Sequence, residues 1–307
     1  MGKTQLLVVV VVVFVLLLGG ATPVRSASPS LSDLIRTTPD GSTLTLSGEY
    51  VVHETIEIFD RRNLTIQGDG TAVVRQSNNG DDGAKVFVVT GGTNVTFQNF
   101  EIAGANPDAG SYSRRTALGA AIAIKGTQGV RIEGMHIHDT WGDFVDLDTG
   151  GGHFPTTEQV SIVGNTLERS GRQGVSISRM VVDVRIEGNL VREVARSVFD
   201  IEHARVVSGI DIADNVVRGY RHYFLFIGRG GDVSDVAVTG NTATGPGPGE
   251  TGGKGFVHVL LRDPLNLVQG VLVCDNVVEN YLDQNDFSGA TDVVTTCATA
   301  ERRSRYA

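Results

Sequence analysis

One short pattern recurs along this chain: an apolar stretch with two-residue alternation runs into Gly-Asn or Asp-Asn and is followed by two further apolar or small residues. The clear copies are Val160-Ser-Ile-Val-Gly-Asn165, Val184-Arg-Ile-Glu-Gly-Asn189, Ile210-Asp-Ile-Ala-Asp-Asn215, Val236-Ala-Val-Thr-Gly-Asn241 and Val271-Leu-Val-Cys-Asp-Asn276. Weaker relatives begin at Leu64, Val95 and Val130, so the copies follow one another at 31, 35, 30, 24, 26, 26 and 35 residues. The shortest spacings define the bare unit. About two dozen residues hold two or three short strands with turns between them, and no stretch has sustained helical periodicity. A unit of this size cannot bury its apolar row alone and must stack on its neighbours. The expected fold is therefore a parallel β-solenoid, with one continuous core and successive rungs about 4.8 Å apart.

Stacking puts Asn165, Asn189, Asn215, Asn241 and Asn276 in one register at a turn, where their amides can hydrogen-bond to the rungs above and below. Their expected role is structural. With this pattern the chain resembles the right-handed parallel β-helix superfamily typified by pectate lyases, from about Leu31 to Cys297. More narrowly it is similar to uncharacterised secreted bacterial β-helix proteins that carry, on successive coils, segments like Gly142 to Val145, Arg172 to Gly174 and Arg196 to Glu202. The resemblance implies an all-β, single-stranded right-handed parallel β-helix of about eight coils, capped by a short N-terminal helix at Leu31 to Arg36. Gly41 to Tyr50 with Asn63 to Gly70 resembles the usual first coil. The hand follows from the resemblance and from the general right-handed preference of parallel crossovers.

Ahead of the repeats, Lys3, the unbroken apolar run Leu6 to Leu18 and the small residues Gly19, Ala21 and Ser26 read as an export signal, residues 1–27. A retained signal anchor is the alternative. The solenoid then spans 28–298, and 299–307 forms a flexible tail. Without its leader the chain holds 24 basic and 35 acidic residues, a balance against any general grip on a nucleic-acid backbone. The two cysteines, Cys274 and Cys297, are either bridged in the exported protein or two unpaired thiols.

Aligning the second strand of each coil by its alternation gives the rows Ala121-Ile-Ala-Ile-Lys125, Phe144-Val-Asp-Leu-Asp148, Gly174-Val-Ser-Ile-Ser178, Val198-Phe-Asp-Ile-Glu202, Phe224-Leu-Phe-Ile-Gly228 and Phe256-Val-His-Val-Leu260. The second and fourth columns are apolar throughout and must face inward. The third and fifth therefore face out, crowding Asp146, Asp148, Asp200 and Glu202 onto nearby rungs, with small Ser176 and Ser178 between them to leave a depression. Four positions upstream of the third column stand Gly142, Arg172, Arg196 and His222, a largely basic column beside the acidic one. Opposed columns suit a charged sugar chain, although a surface ion-pair ladder without chemistry fits the same pattern. Three insertions, Ala103 to Leu118, Gly150 to Glu158 and Thr244 to Gly255, adjoin this strand and are expected to wall the groove, a flexible linker being the alternative for the last.

The preferred chemistry is β-elimination of a uronate polymer. Asp146, Asp148, Asp200 and Glu202 suit Ca²⁺ by oxygen ligation. Arg172 and Arg196 would face the substrate carboxylate, and His222 or Lys125 would remove the proton, so the catalytic candidates are Arg172, Arg196, Asp146, Asp200 and His222. Lys125, Trp141, Gln173, Tyr223 and His258 are the substrate-binding candidates, Trp141 as a surface for a sugar ring. Epimerisation at C5 begins with the same proton abstraction. Glycoside hydrolysis is open too, using Asp146 with Asp200 or with Asp148. A non-catalytic glycan-binding protein would use the same groove. The expected partner is an acidic polysaccharide met by a monomer, with no nucleic acid and, once the leader is removed, no membrane. His136, His138, His153 and His203 read as turn or surface residues.

Overall fold

The structure, a computed structural model, describes residues 29–295 apart from 81–82, 150–155, 229, 246–254, 261–266, 281–282 and 289. The leader, His153, Cys297, the tail and most of two expected walls, 150–158 and 244–255, lie outside the described residues. Cys274 is buried and disulfide-bonded. Among the described residues no helix is long and apolar enough to cross a membrane.

The chain opens with a helix, Leu31–Thr37, whose N-cap Ser30 accepts a hydrogen bond at Oγ from the Asp33 amide. Asp33 in its first turn and Arg36 in its last complement the helix dipole, while Leu31 and Ile35 are buried over the first coil. This is the expected cap. Each coil then repeats one path, illustrated by Gln128–Glu133, which carries the repeat pattern, then His136–His138 and Asp143–Asp148. Nine such three-strand coils run from Thr43 to Asp286, and a tenth opens with Thr291–Val294. The eight repeat copies account for all but the first of the nine, Thr43–Phe59, whose strands lack the Gly-Asn turn.

Every strand pairing is parallel and joins one coil to the next, as in Val130↔Val160↔Val184↔Ile210↔Val236↔Val271. The middle strands form a separate nine-stranded sheet. The other two faces join into a 17-stranded sheet, because Val175–Glu187 and Phe199–Ala213 continue round the corner between them. Two-residue alternation places Ile132, Ile162, Ile186, Ile212 and Val238 in one interior row with essentially no exposure. Burying each such side chain contributes about 1.5–3 kcal/mol, which makes stacking rather than any single coil the source of stability.

The asparagines form the expected ladder. Each side-chain amide of Asn165, Asn189, Asn215 and Asn241 donates to the Oδ1 of the next at 2.9 Å. That same Oδ1 also accepts the preceding asparagine's backbone N–H, so an otherwise unpaired turn donor is satisfied inside the core.

Candidate functional site

The site face is built from Lys85–Thr90, Ala120–Lys125, Asp143–Asp148, the first part of Val175–Glu187, the first part of Phe199–Ala213, Tyr223–Gly228 and Gly255–Leu260. Their register gives one outward row, Val88, Ala123, Asp146, Ser176, Asp200, Phe226, His258 and Asp286, as the alternation requires. Val145, Leu147, Val175, Ile177, Phe199 and Ile201 point inward and are fully buried. Lys125 stands beside Asp148, and Ser178 beside Glu202, in the second outward row. Residues separated by two or three coils in sequence thus share one face.

The corner preceding these strands is glycine-lined because successive coils touch there backbone to backbone. A Cβ built on Gly142 would lie 2.0 Å from the Gly119 carbonyl oxygen, and one on Gly171 would lie 2.1 Å from that of Trp141. This close approach lets the Gly171 and Arg172 amides both donate to the Gly142 carbonyl, at 3.0 and 3.1 Å. Arg172 is thereby seated beside Asp143. Its guanidinium lies 3.1 Å from Asp143 Oδ2 and also contacts Glu202. The Gln173 backbone N–H donates to Asp143 Oδ1 at 2.8 Å, its side-chain amide donates to Asp200, and its Oε1 accepts the Ser197 N–H at 2.8 Å.

These bonds correct part of the sequence reading. Arg172, expected to face a substrate carboxylate, has a side chain only 12% exposed and joins two internal carboxylates. Asp200 and Glu202 are buried at 3% and 7% exposure, and Gln173 is completely covered. The depression expected over the small rungs is closed at Ser176, which is only 1% exposed. The accessible carboxylates are Asp146 and Asp148, both half-buried. The four carboxylates expected to hold Ca²⁺ are divided, Glu202 to Arg172, Asp200 to Gln173 and Asp148 to Arg179 at 3.3 Å. Among the described residues no three of them bring ligand atoms to one point, so they do not fit a shared calcium ion.

Electrostatically the centre of the face is unusual. Burial raises the Asp143 carboxyl to about 8 despite Arg172, with the Asp146 and Asp200 charges adding to the rise. Burial also raises Asp146; Lys85 opposes that shift and Asp148 reinforces it. Lys85 is itself pushed down by burial, against the pull of Asp146, while its ammonium donates to the Gly83 and Leu118 carbonyls at 3.1 and 2.7 Å. The sequence reading missed Asp143 and Lys85 as site residues. They occupy one column with Ala120, immediately before the aligned rows, so one more position toward the corner reveals Asp143 and adding the preceding coil's row, Val86 to Thr90, reveals Lys85.

The remaining candidates sit farther out. The Arg196 guanidinium lies 5.0 Å from the centroid of Tyr112, so the insertion 103–118 does reach this edge of the face. Tyr223, Phe226 and His258 form a near-parallel cluster, with centroids 4.6 Å apart for Tyr223–His258 and 5.6 Å for Tyr223–Phe226. His222 meets the Tyr223 ring edge-on at 6.2 Å, and His258 Nδ1 is 3.2 Å from Asp286. These rings make an apolar, half-exposed end to the row, beyond Asp200. Trp141, expected to offer a surface to sugar, instead donates its indole N–H to the Asn78 carbonyl at 3.2 Å and packs against Gly80. His203 is largely exposed, 4.0 Å from Glu202.

The family model described as a right handed beta helix region matches residues 53–245. The solved structure of a hyperthermoactive exopolygalacturonase from Thermotoga maritima is similar in fold, with a TM-score of 0.56 at 13% identity over 84% of this chain and 80% of that one. A DFA-IIIase from Arthrobacter chlorophenolicus A6 gives 0.45 at 13% identity, over 83% of each chain. A tailspike protein of the E. coli bacteriophage HK620 gives 0.48 at 11%, over 85% of this chain and 52% of that one. No curated protein matches the sequence.

Proposed function

The chain belongs to the right-handed β-helix family, and we propose that it acts on a polysaccharide by hydrolysing a glycosidic bond, with Asp146 as proton donor and Asp148 as the second carboxylate. The observation that carries this reading is Asp146 itself. It is a half-buried carboxyl at the centre of the outward row, held above the ordinary carboxylate range by burial. A carboxyl whose proton is held more tightly than usual is suited to donate it to the leaving-group oxygen.

Asp148 lies two residues along the same extended strand and on the same face, so the two Cα atoms stand about 6.6 Å apart. Hydrolysis uses two carboxyl groups about 5–5.5 Å apart when configuration is retained and about 6.5–9.5 Å apart when it is inverted, and two side chains on one face of one strand can serve either arrangement. Arg179, 3.3 Å from Asp148, holds in place the carboxylate proposed to activate the attacking water. The internal network of Asp143, Arg172, Gln173, Asp200 and Glu202 fixes the floor beneath this pair. Lys125, beside Asp148, suits a polymer with acidic sugars. A polymer substrate also accords with the export signal read in residues 1–27.

β-Elimination, the expectation from the sequence, finds less support. Arg172, one of the two arginines expected to face the substrate carboxylate, is already paired internally, and the four carboxylates do not gather to one point. The test is incubation with a panel of acidic and neutral polysaccharides. Hydrolysis yields new reducing ends without the ultraviolet absorbance of an unsaturated sugar, and Asp146→Asn removes that activity while the protein stays folded. Unsaturated product would restore the elimination reading, and saturable binding without product would make the protein a glycan-binding member.

A further inference from the structure

Away from this face, on the nine-stranded sheet, Glu101–Ala103 and His136–His138 lie side by side, with His136 in register with Glu101. Ile102 and Ile137 point inward and are fully buried, so Glu101, His136 and His138 project from the opposite side, each half-buried. The imidazoles stack at 4.6 Å, and both turn one nitrogen toward the same carboxylate. His138 Nε2 is 3.1 Å from Glu101 Oε1, and His136 Nδ1 is 3.8 Å from Glu101 Oε2. One ligand atom from each residue lies within 4.8 Å of the others.

The other nitrogen of each ring is held by a separate carboxylate. His138 Nδ1 is 2.7 Å from Asp139 Oδ2, and His136 Nε2 is 3.1 Å from Glu168 Oε2. Those carboxylates are anchored in turn, Asp139 by Arg169 at 2.6 Å and Glu168 by Arg192 at 2.8 Å. An anchored carboxylate on the far nitrogen fixes the orientation of each ring and directs the near nitrogen toward Glu101, where a metal ion would displace any proton on it. Two such rings converging on one carboxylate make a metal-ligand set with its orienting partners already built.

We propose that Glu101, His136 and His138 bind a divalent transition-metal ion of the zinc class, with its remaining coordination position open to solvent. Two imidazole nitrogens and one carboxylate oxygen suit Zn²⁺, Co²⁺ or Ni²⁺ and not the all-oxygen preference of Ca²⁺ or Mg²⁺. Ligands about 2.0–2.1 Å from a tetrahedral ion stand about 3.3–3.4 Å from one another, close to the spacing of Glu101 from both rings. A bound ion would clip the coil of Glu101 to the next one, just before the corner that leads into Asp143–Asp148.

The test uses tag-free full chain, stripped with a chelator and titrated with Zn²⁺ by calorimetry. One equivalent is expected to bind, and added Co²⁺ should give the visible absorption of a low-coordinate nitrogen–oxygen site. His136→Ala and His138→Ala should each weaken binding at least tenfold, and Asp139→Asn about tenfold or more through loss of ring orientation. His53→Ala, on another coil, should leave it unchanged. Absence of binding, or binding that survives the His136→Ala/His138→Ala pair, overturns the proposal. Should those variants fail to fold, histidine NMR signals of the unmutated protein decide: Zn²⁺ must shift two rings as a pair, and a shift confined to other histidines overturns the site.

Discussion

The asparagine ladder permits a prediction worked from individual bonds. Asn215 is fully buried, and its side chain makes four hydrogen bonds: it donates to Asn241 Oδ1 and the Ile186 carbonyl, and accepts from the Asn189 backbone and side-chain N–H groups. Asn215→Ala deletes all four. Asn241 Oδ1 keeps the Asn215 backbone donor, and the Asn189 side chain keeps the Ile162 carbonyl. The Asn189 backbone N–H, however, loses its acceptor in a dry interior. An orphaned buried donor costs about 1–3 kcal/mol and each of the three further bonds about 0.5–1.5 kcal/mol, so the substitution should destabilise by roughly 2.5–7.5 kcal/mol. Asn276, at the half-buried end of the ladder, has water available to replace its partners, and Asn276→Ala should cost no more than about 1 kcal/mol. Denaturant unfolding followed by far-ultraviolet circular dichroism compares the two against the parent, with equal slopes confirming that midpoints report stability. A loss below about 0.5 kcal/mol for Asn215→Ala, or equal losses at both positions, would refute the reasoning.

Two further outcomes follow from the site. Because burial raises Asp143 to about 8, the folded state keeps a proton that the unfolded chain releases near pH 4, so stability falls as pH rises through that window and levels off above it. Unfolding midpoints measured between pH 4 and pH 9 should show this decline, and Asp143→Asn should flatten it by up to about 1.4 kcal/mol per pH unit; an unchanged slope in the variant contradicts the assignment. Gly142→Ala puts a methyl against the Gly119 carbonyl oxygen, backbone that cannot step aside, and should destabilise by about 1–3 kcal/mol while loosening the seat of Arg172. Retention of parental stability by that variant, measured by thermal unfolding, would show that the coils tolerate wider spacing there.

Much of this architecture is legible in the sequence because stacking imposes one register on every coil. The inward columns at Val145, Val175 and Phe199, the outward row through Asp146 and Asp200, the helix at Leu31–Thr37 and the asparagine ladder all follow from repetition and alternation. The corner is different. Asp143, Phe144 and Val145 are consecutive and all buried, so alternation lapses and gives no sign that Asp143 faces Arg172. Nor does the outward direction of a residue state its accessibility: Ser176, Asp200 and Glu202 lie in outward rows yet are buried, Glu202 against Arg172 and Asp200 against Gln173. The partner chosen by Arg172 depends on the close Gly142–Gly119 approach, a contact between coils that the spacing of glycines alone does not specify. His136 and His138 read as surface residues because their strand is short, and Glu101 joins them only through the neighbouring coil.

The central claim is that the outward face around Asp146 and Asp148 performs hydrolysis. Its most direct measurement is a proton NMR time course of the newly formed anomeric centre during cleavage of a responsive polysaccharide, run beside Asp146→Asn. The account predicts saturated products of a single first-formed configuration and a loss of about a hundredfold or more in the variant. Unsaturated products, or an Asp146→Asn protein as active as its parent, would contradict it.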